Sequence, residues 1–205
     1  MDDVLETIKS RRSIRRFKGD ALTREQVERI LQAGIYAPSA KNRQPWEFVV
    51  LSGKEKEEAV RVMQEGISKE QQTKEVLPGS HQHIGGALYT ADIMRRAPVV
   101  VFVFDPDLRQ EIGINDTEEG FYEMADLQSI GAAVQNMLLE AEVMGIGSLW
   151  ICDIYFAYQE LAGWFGKKGR MVAAAAFGYA DEKPGMRPRK KMNDIVTWMG
   201  EDNLP

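Results

Sequence analysis

Two basic clusters stand at opposite ends of the chain. Lys9, Arg11, Arg12, Arg15, Arg16 and Lys18 lie near the start, and Lys183, Arg187, Arg189, Lys190 and Lys191 near the end. In the first, Arg11, Arg12 and Ser13 offer two guanidinium forks and a hydroxyl, the donor set that pairs with phosphate oxygens. The same residues also read as a solvated basic helix end, favourable beside the helix dipole. In the second, Pro184 and Pro188 stiffen an extended segment that presents Arg187 and Arg189, or a basic tail meeting solvent. The body between them is acidic, for the 205 residues carry a net charge of −5. That balance disfavours nucleic acid, which needs a broad basic surface, and points to a small anion held locally.

Two further stretches have the chemistry of a ligand site. The segment APSAKNRQPW, residues 37–46, joins the end of a helix to the start of a strand. Its Ser39, Asn42 and Gln44 carry donors and acceptors suited to a heteroaromatic edge; a turn punctuated by two prolines reads the same way. The segment GIGSLWICD, residues 145–153, has glycines that let backbone approach a flat ligand. It lacks the third glycine of a dinucleotide fingerprint and follows a helix rather than a strand, so a helix cap leading into a strand also fits. His81 and His83 have alternate spacing but no recognisable third ligand, which leaves a metal site unsupported. Cys152 is the one cysteine, so no intrachain disulfide forms, and a lone cysteine at a strand end reads as a small buried hydrophobe.

The elements that must position these residues follow from periodicity. Residues 2–12 predict a short helix with Val4, Leu5 and Ile8 on one face. Thr23 and Gln26 form a capping-box pattern that opens a helix through Val27, Ile30, Leu31 and Gly34, ended by Pro38. Residues 46–51 predict a strand, 54–67 a charged amphipathic helix, and 68–96 a long irregular insertion of the kind that forms a lid. Residues 98–104 are a continuous apolar run, the pattern of a strand buried on both faces. Residues 124–144 predict a central buried helix, 145–151 a short strand, 155–165 a helix and 171–179 a last apolar strand. The expected fold is α+β in a single domain over residues 1–205, with helices on a sheet of four or five strands and an extended C-terminal tail. Hydrophobic residues at 44% and charged residues at 28% are ordinary globular values. The apolar stretches fall far short of the ~20 residues that span a bilayer, and the N-terminus has no secretory pattern. A soluble, cytoplasmic protein is expected, with no membrane and no nucleic-acid partner.

Taken in order, RRSIRRF, APSAKNRQPWEF, a long helix running into GIGSLWI, and KPGMRPRKKMNDIVTW resemble the FMN-dependent nitroreductase superfamily. The resemblance covers nearly the whole chain and is least close over residues 68–96. It implies a sandwich with a central, mostly antiparallel sheet flanked by helices, in an intertwined homodimer with FMN at the interface. It implies that Arg11, Arg12 and Ser13 contact the ribityl phosphate, that Arg15 lies near the pyrimidine, and that Arg187 and Arg189 close on the phosphate. It further implies that Pro38, Ser39, Ala40, Asn42 and Gln44 approach a flavin mainly from the other subunit, and that Trp150, Ile151, Cys152 and Asp153 run along the ring edge near N5. Some members carry Glu-Gly where Cys152 and Asp153 align, which puts substrate fit in doubt. The implied activity is ping-pong hydride transfer from NADH or NADPH to an electron-poor small molecule such as a nitroaromatic or quinone, with no catalytic side chain beyond the flavin. Dehalogenation, enone or flavin reduction on the same scaffold, or a non-catalytic flavin-binding redox sensor, remain alternatives.

Overall fold

The computed structural model describes residues 4–72, 80–108 and 118–199. Its sheet has four strands, β1 (Glu47–Ser52), β2 (Val99–Asp105), β3 (Gly147–Ile151) and β4 (Arg170–Gly178). They lie in the order β1-β2-β4-β3, with every neighbouring pair antiparallel. No tight hairpin links them, because helices fill each connection: α3 (Gly53–Gln72) and α4 (Ile84–Arg96) before β2, α5 (Glu118–Val143) before β3, and α6 (Tyr158–Phe165) before β4.

The alternation of β2 shows why its sequence is apolar throughout. Val100, Phe102 and Phe104 pack with α3, α4 and α6, and Val99, Val101 and Val103 with α5 and with α2 (Arg24–Ile35). Both faces are covered, so neither set of side chains can be polar. Phe165 of α6 meets Phe102 and Phe104 edge-on, with ring centroids 4.8 and 5.1 Å apart. On the opposite layer Ile130, Val134, Met137, Leu138 and Ala141 of α5 are buried, as its apolar circumference requires.

Local signals set the ends of these elements. Thr23 accepts from the Gln26 amide while the Gln26 side chain accepts from the Thr23 amide, so both halves of the capping box close at the start of α2. Beyond the C-terminus of α5, Gly145 adopts φ +70, a conformation that glycine reaches without a Cβ penalty. The amide of Ile146 then bonds the Ala141 carbonyl at 2.8 Å and turns the chain into β3. The first helix, α1 (Val4–Ser10), leaves Val4, Leu5 and Ile8 exposed.

The irregular reading of residues 68–96 is corrected at both ends. Residues 68–72 continue α3, and Ile84–Arg96 forms α4 with Ile84, Ala87, Ala91, Ile93 and Met94 buried. Residues 73–79 lie outside the described part. Packing within this layer is close: a Cβ at Gly66 of α3 would stand 2.5 Å from the Ala157 Cβ, so only glycine admits this approach. Buried Lys56 of α3 donates to the carbonyls of Arg95 and Ala97 at the end of α4 and pairs with Glu57 at 3.0 Å. It therefore satisfies helix-end acceptors that would otherwise lie buried without partners. Lys56→Met is expected to cost about 2 kcal/mol, read as a lowered urea midpoint at constant slope.

Candidate functional site

The N-terminal arginines lie beside the sheet edge. Ser13 bridges Ser148 of β3, and the Ile14 amide donates to the Ser148 carbonyl at 2.9 Å. Arg16, Phe17 and Lys18 then run antiparallel to Tyr179, Ala180 and Asp181, joined by bonds of 2.8 and 2.9 Å. Glu182 completes the junction, accepting from the backbone amides of Arg15 and Arg16. The root of the C-terminal tail is thus fastened to the arginine segment. Arg187 and Arg189 lie further out and are exposed, and the Arg189 guanidinium turns to its own backbone at Arg187 and Pro188.

The guanidinium inventory is uneven. Arg16, Arg24, Arg29, Arg43, Arg61, Arg95, Arg96 and Arg170 each lie within 4.0 Å of a carboxylate. Arg11, Arg12, Arg15, Arg187 and Arg189 form no such pair among the described residues. Arg12 turns one terminal nitrogen to the carbonyls of Lys9, Ser10 and Arg11 at the end of α1. Its Nε is buried with no partner among the described residues.

The loop of residues 37–46 holds a strained shape. Lys41, Asn42 and Gln44 have φ of +52, +55 and +51, each costing on the order of 1 kcal/mol for a residue with a Cβ, least for asparagine. Ser39 spans the turn, its Oγ accepting from the Gln44 amide at 3.0 Å, and the Trp46 amide bonds the Gln44 carbonyl at 2.8 Å. The strand accordingly begins at Glu47, one residue later than the sequence pattern places it. Ala40 approaches α5 through its amide, 3.4 Å from Ser129 Oγ. Pro38 is exposed and Ser39 half-buried.

At the other end of β3, Trp150 is 37% exposed with its indole reaching toward Gly131 of α5. Ile151 is buried, Cys152 exposed and Asp153 half-buried. The Asp153 carboxylate accepts from the Thr90 hydroxyl of α4. Although Cys152 is exposed as a residue, desolvation around its sulfur and the Asp153 charge push its thiol pKa up, which suppresses the thiolate. His81 lies 3.0 Å through Nε2 from the Glu70 carbonyl.

Residues 8–179 match the model of the nitroreductase family. The chain belongs to that family. A relative from Archaeoglobus fulgidus with the provisional name NADH dehydrogenase/NAD(P)H nitroreductase is 31% identical over 74% of this chain and 68% of its own. One of the same name from Methanothermobacter thermautotrophicus is 28% identical over 90% and 81%. A provisionally named nitroreductase from Desulfovibrio desulfuricans, solved in complex with FMN, superposes with a TM-score of 0.72 at 29% identity, covering 100% of this chain and 99% of the other. The antiparallel sheet between two helical layers is the nitroreductase fold.

Several residues that shape this candidate site carry little signal in the sequence. Arg43 donates from Nε and a terminal nitrogen to the two oxygens of fully buried Asp126, at 3.1 and 3.0 Å. Asp126 is the one acid among residues 124–139 of α5, and a lone charge on an apolar helix calls for a buried partner. Glu182, an acid among the tail's bases, was a similar signal. Thr90 carried none.

Behind this clamp lies Asp105, fully buried, with one oxygen accepting from the amides of Asp107 and Leu108 and the other without a partner among the described residues. Burial pushes its pKa up to about 6; the Asp107 amide opposes the shift, and the Asp126 charge adds to it. A carboxyl raised in the folded state contributes stability that is full below its unfolded value near 4 and is lost as pH rises through about 6. Asp105→Asn keeps the acceptor for both amides and removes this titration. Relative to wild type, it is expected to gain about 2 kcal/mol between pH 4 and pH 7 and nothing further above, measured by urea unfolding across that range.

Proposed function

We propose that this chain is an FMN-dependent oxidoreductase that takes electrons from NADH or NADPH and delivers them to an electron-poor small molecule, working as an intertwined homodimer. The observation that carries the reading is the set of unpaired arginines. In a protein of net charge −5, Arg11, Arg12, Arg15, Arg187 and Arg189 have no carboxylate partner among the described residues, while every other described arginine finds one. An anionic ligand accounts for that selection.

The bound flavin would supply the redox chemistry: hydride accepted at N5 from reduced nicotinamide, then passed on in a ping-pong cycle. The protein's own residues bind and orient. Arg11, Arg12 and Ser13 hold the phosphate, Arg187 and Arg189 close on it, and Arg15 places positive charge by the pyrimidine. Ser39, Asn42 and Gln44 offer polar groups to the ring edge, with Pro38 and Ala40 packing beside them. Trp150, Ile151, Cys152 and Asp153 run past N5, where the protonated Cys152 does no nucleophilic work. Exposed apolar residues support the dimer. Val4, Leu5 and Ile8 on α1, Phe121 and Met124 on α5, and Trp198 and Met199 of the tail, the last two 69% and 94% exposed, are large apolar side chains of the kind a subunit interface covers.

The test is the visible spectrum of the purified protein, followed by consumption of reduced nicotinamide with a quinone or nitroaromatic. Oxidised-flavin bands and acceptor-dependent turnover are expected. A colourless protein that takes up no added FMN overturns the flavin reading, and a yellow one that oxidises reduced nicotinamide only slowly with every acceptor overturns the enzymatic one.

A further inference from the structure

Tyr122, Asp126 and Ser129 stand at i, i+4 and i+7 on α5 and so line one stripe of that helix. All three meet the loop of residues 38–44. The Tyr122 ring lies under the Arg43 guanidinium, 4.9 Å from its centroid, and its hydroxyl accepts from Lys41 Nζ at 3.0 Å. Asp126 takes Arg43 in a two-bond fork, and Ser129 Oγ faces the Ala40 amide while donating to the Ala125 carbonyl at 2.7 Å. The loop so held is the one with three left-handed residues that are not glycine. Such a backbone persists only where its surroundings over-determine it. Arg43 is the anchor with the strongest geometry, since a fork on a fully buried carboxylate fixes both the position and the plane of its side chain. Its neighbours Asn42 and Gln44 are both exposed, and both carry positive φ.

We propose that Asp126, acting through Arg43, is a positioning residue that holds loop 38–44 in the shape that receives the flavin. The proposal rests on the flavin reading given above. Asp126 touches no ligand in it. Its carboxylate fixes Arg43, and Arg43 in turn fixes the amide groups of Asn42 and Gln44 on either side. Without the clamp the loop relaxes toward ordinary backbone angles, and FMN must reimpose the strained shape on binding, at the expense of affinity.

FMN retention by the purified holoprotein on serial dilution, read as recovery of free-flavin fluorescence, tests this. The measurement is made at a temperature where circular dichroism shows each variant fully folded. Asp126→Asn and Arg43→Met are each expected to raise the FMN Kd about 10-fold or more, the value of one charge-assisted hydrogen bond. The double variant is expected to be no weaker than the weaker single, because the two act as one unit. A purely structural clamp would lower the melting temperature and leave the Kd of the folded protein unchanged. That outcome, or additive losses in the double variant, overturns the proposal. Should Asp126→Asn fail to fold, Arg43→Lys keeps the charge but removes the fork, and an unchanged Kd there overturns the proposal equally. A wild-type protein that binds no FMN overturns the flavin reading and this proposal together; wild-type binding with unaltered variants overturns the clamp alone.

Discussion

Replacing Arg12 by alanine is expected to weaken FMN binding about 100-fold, and replacing Arg11 and Arg12 together to yield a colourless protein that keeps its fold. A charge-assisted hydrogen bond is worth about 1.5–3 kcal/mol when desolvated, and a guanidinium fork supplies two. The fold should survive because neither side chain belongs to the core: Arg12 holds only the last carbonyls of α1, a contribution of about 1 kcal/mol. Arg12→Lys separates charge from shape. It keeps the cation but not the planar fork, so its affinity is expected to fall between wild type and Arg12→Ala. Arg24→Ala is the control, since it breaks only an exposed pair with Glu28 on α2 and should leave the Kd unchanged. Fluorescence titration with FMN checks all four. Wild-type affinity in Arg12→Ala would place the phosphate elsewhere.

The parts of this structure legible in the sequence are those set by local pattern. The Thr23–Gln26 box, the apolar run of β2 and the apolar girth of α5 each depend on neighbours a few residues apart, and each forms, although α5 begins at Glu118 rather than at residue 124. α4 was legible in principle: Ile84, Ala87, Ala91 and Met94 recur at helical spacing. Gly85 and Gly86, with the polar stretch ahead of them, hid that period. Their propensity cost is met by the tertiary packing of the buried face. In the candidate site, residue types pointed to the arginines and the loop, but the forces that shape them act across the chain. Asp126 meets Arg43 from 83 residues away, and Glu182 meets the Arg15 amide from 167. The left-handed angles at Lys41, Asn42 and Gln44 carry no glycine to mark them. They lie where the loop meets α5, and only the structure reveals them.

The second large effect lies under the same end of the sheet. Glu123 of α5 accepts from Arg170 at the start of β4, with side-chain exposures of 9% and 5%. The β2–β4 register sets Asp105 opposite Arg170, so this ion pair and the Asp126–Arg43 clamp lie in one acidic neighbourhood where α5 crosses the strand ends. Charges withdrawn from water are costly unless paired, and Glu123 is a buried carboxylate partner of Arg170. Glu123→Leu removes this carboxylate from the buried Arg170 guanidinium, and is expected to cost about 3 kcal/mol. Unfolding should be measured at fixed protein and FMN concentration, because ligand and subunit association both shift the midpoint. The double variant Glu123→Leu/Arg170→Met distinguishes the value of the pair from the penalty of breaking it. With neither member of this pair left to desolvate, it is expected to recover to within about 1 kcal/mol of wild type. If the double variant instead falls as far as Glu123→Leu, the pair is a net source of stability that apolar packing cannot replace, and α5 is held to β4 by electrostatics rather than by exclusion of water.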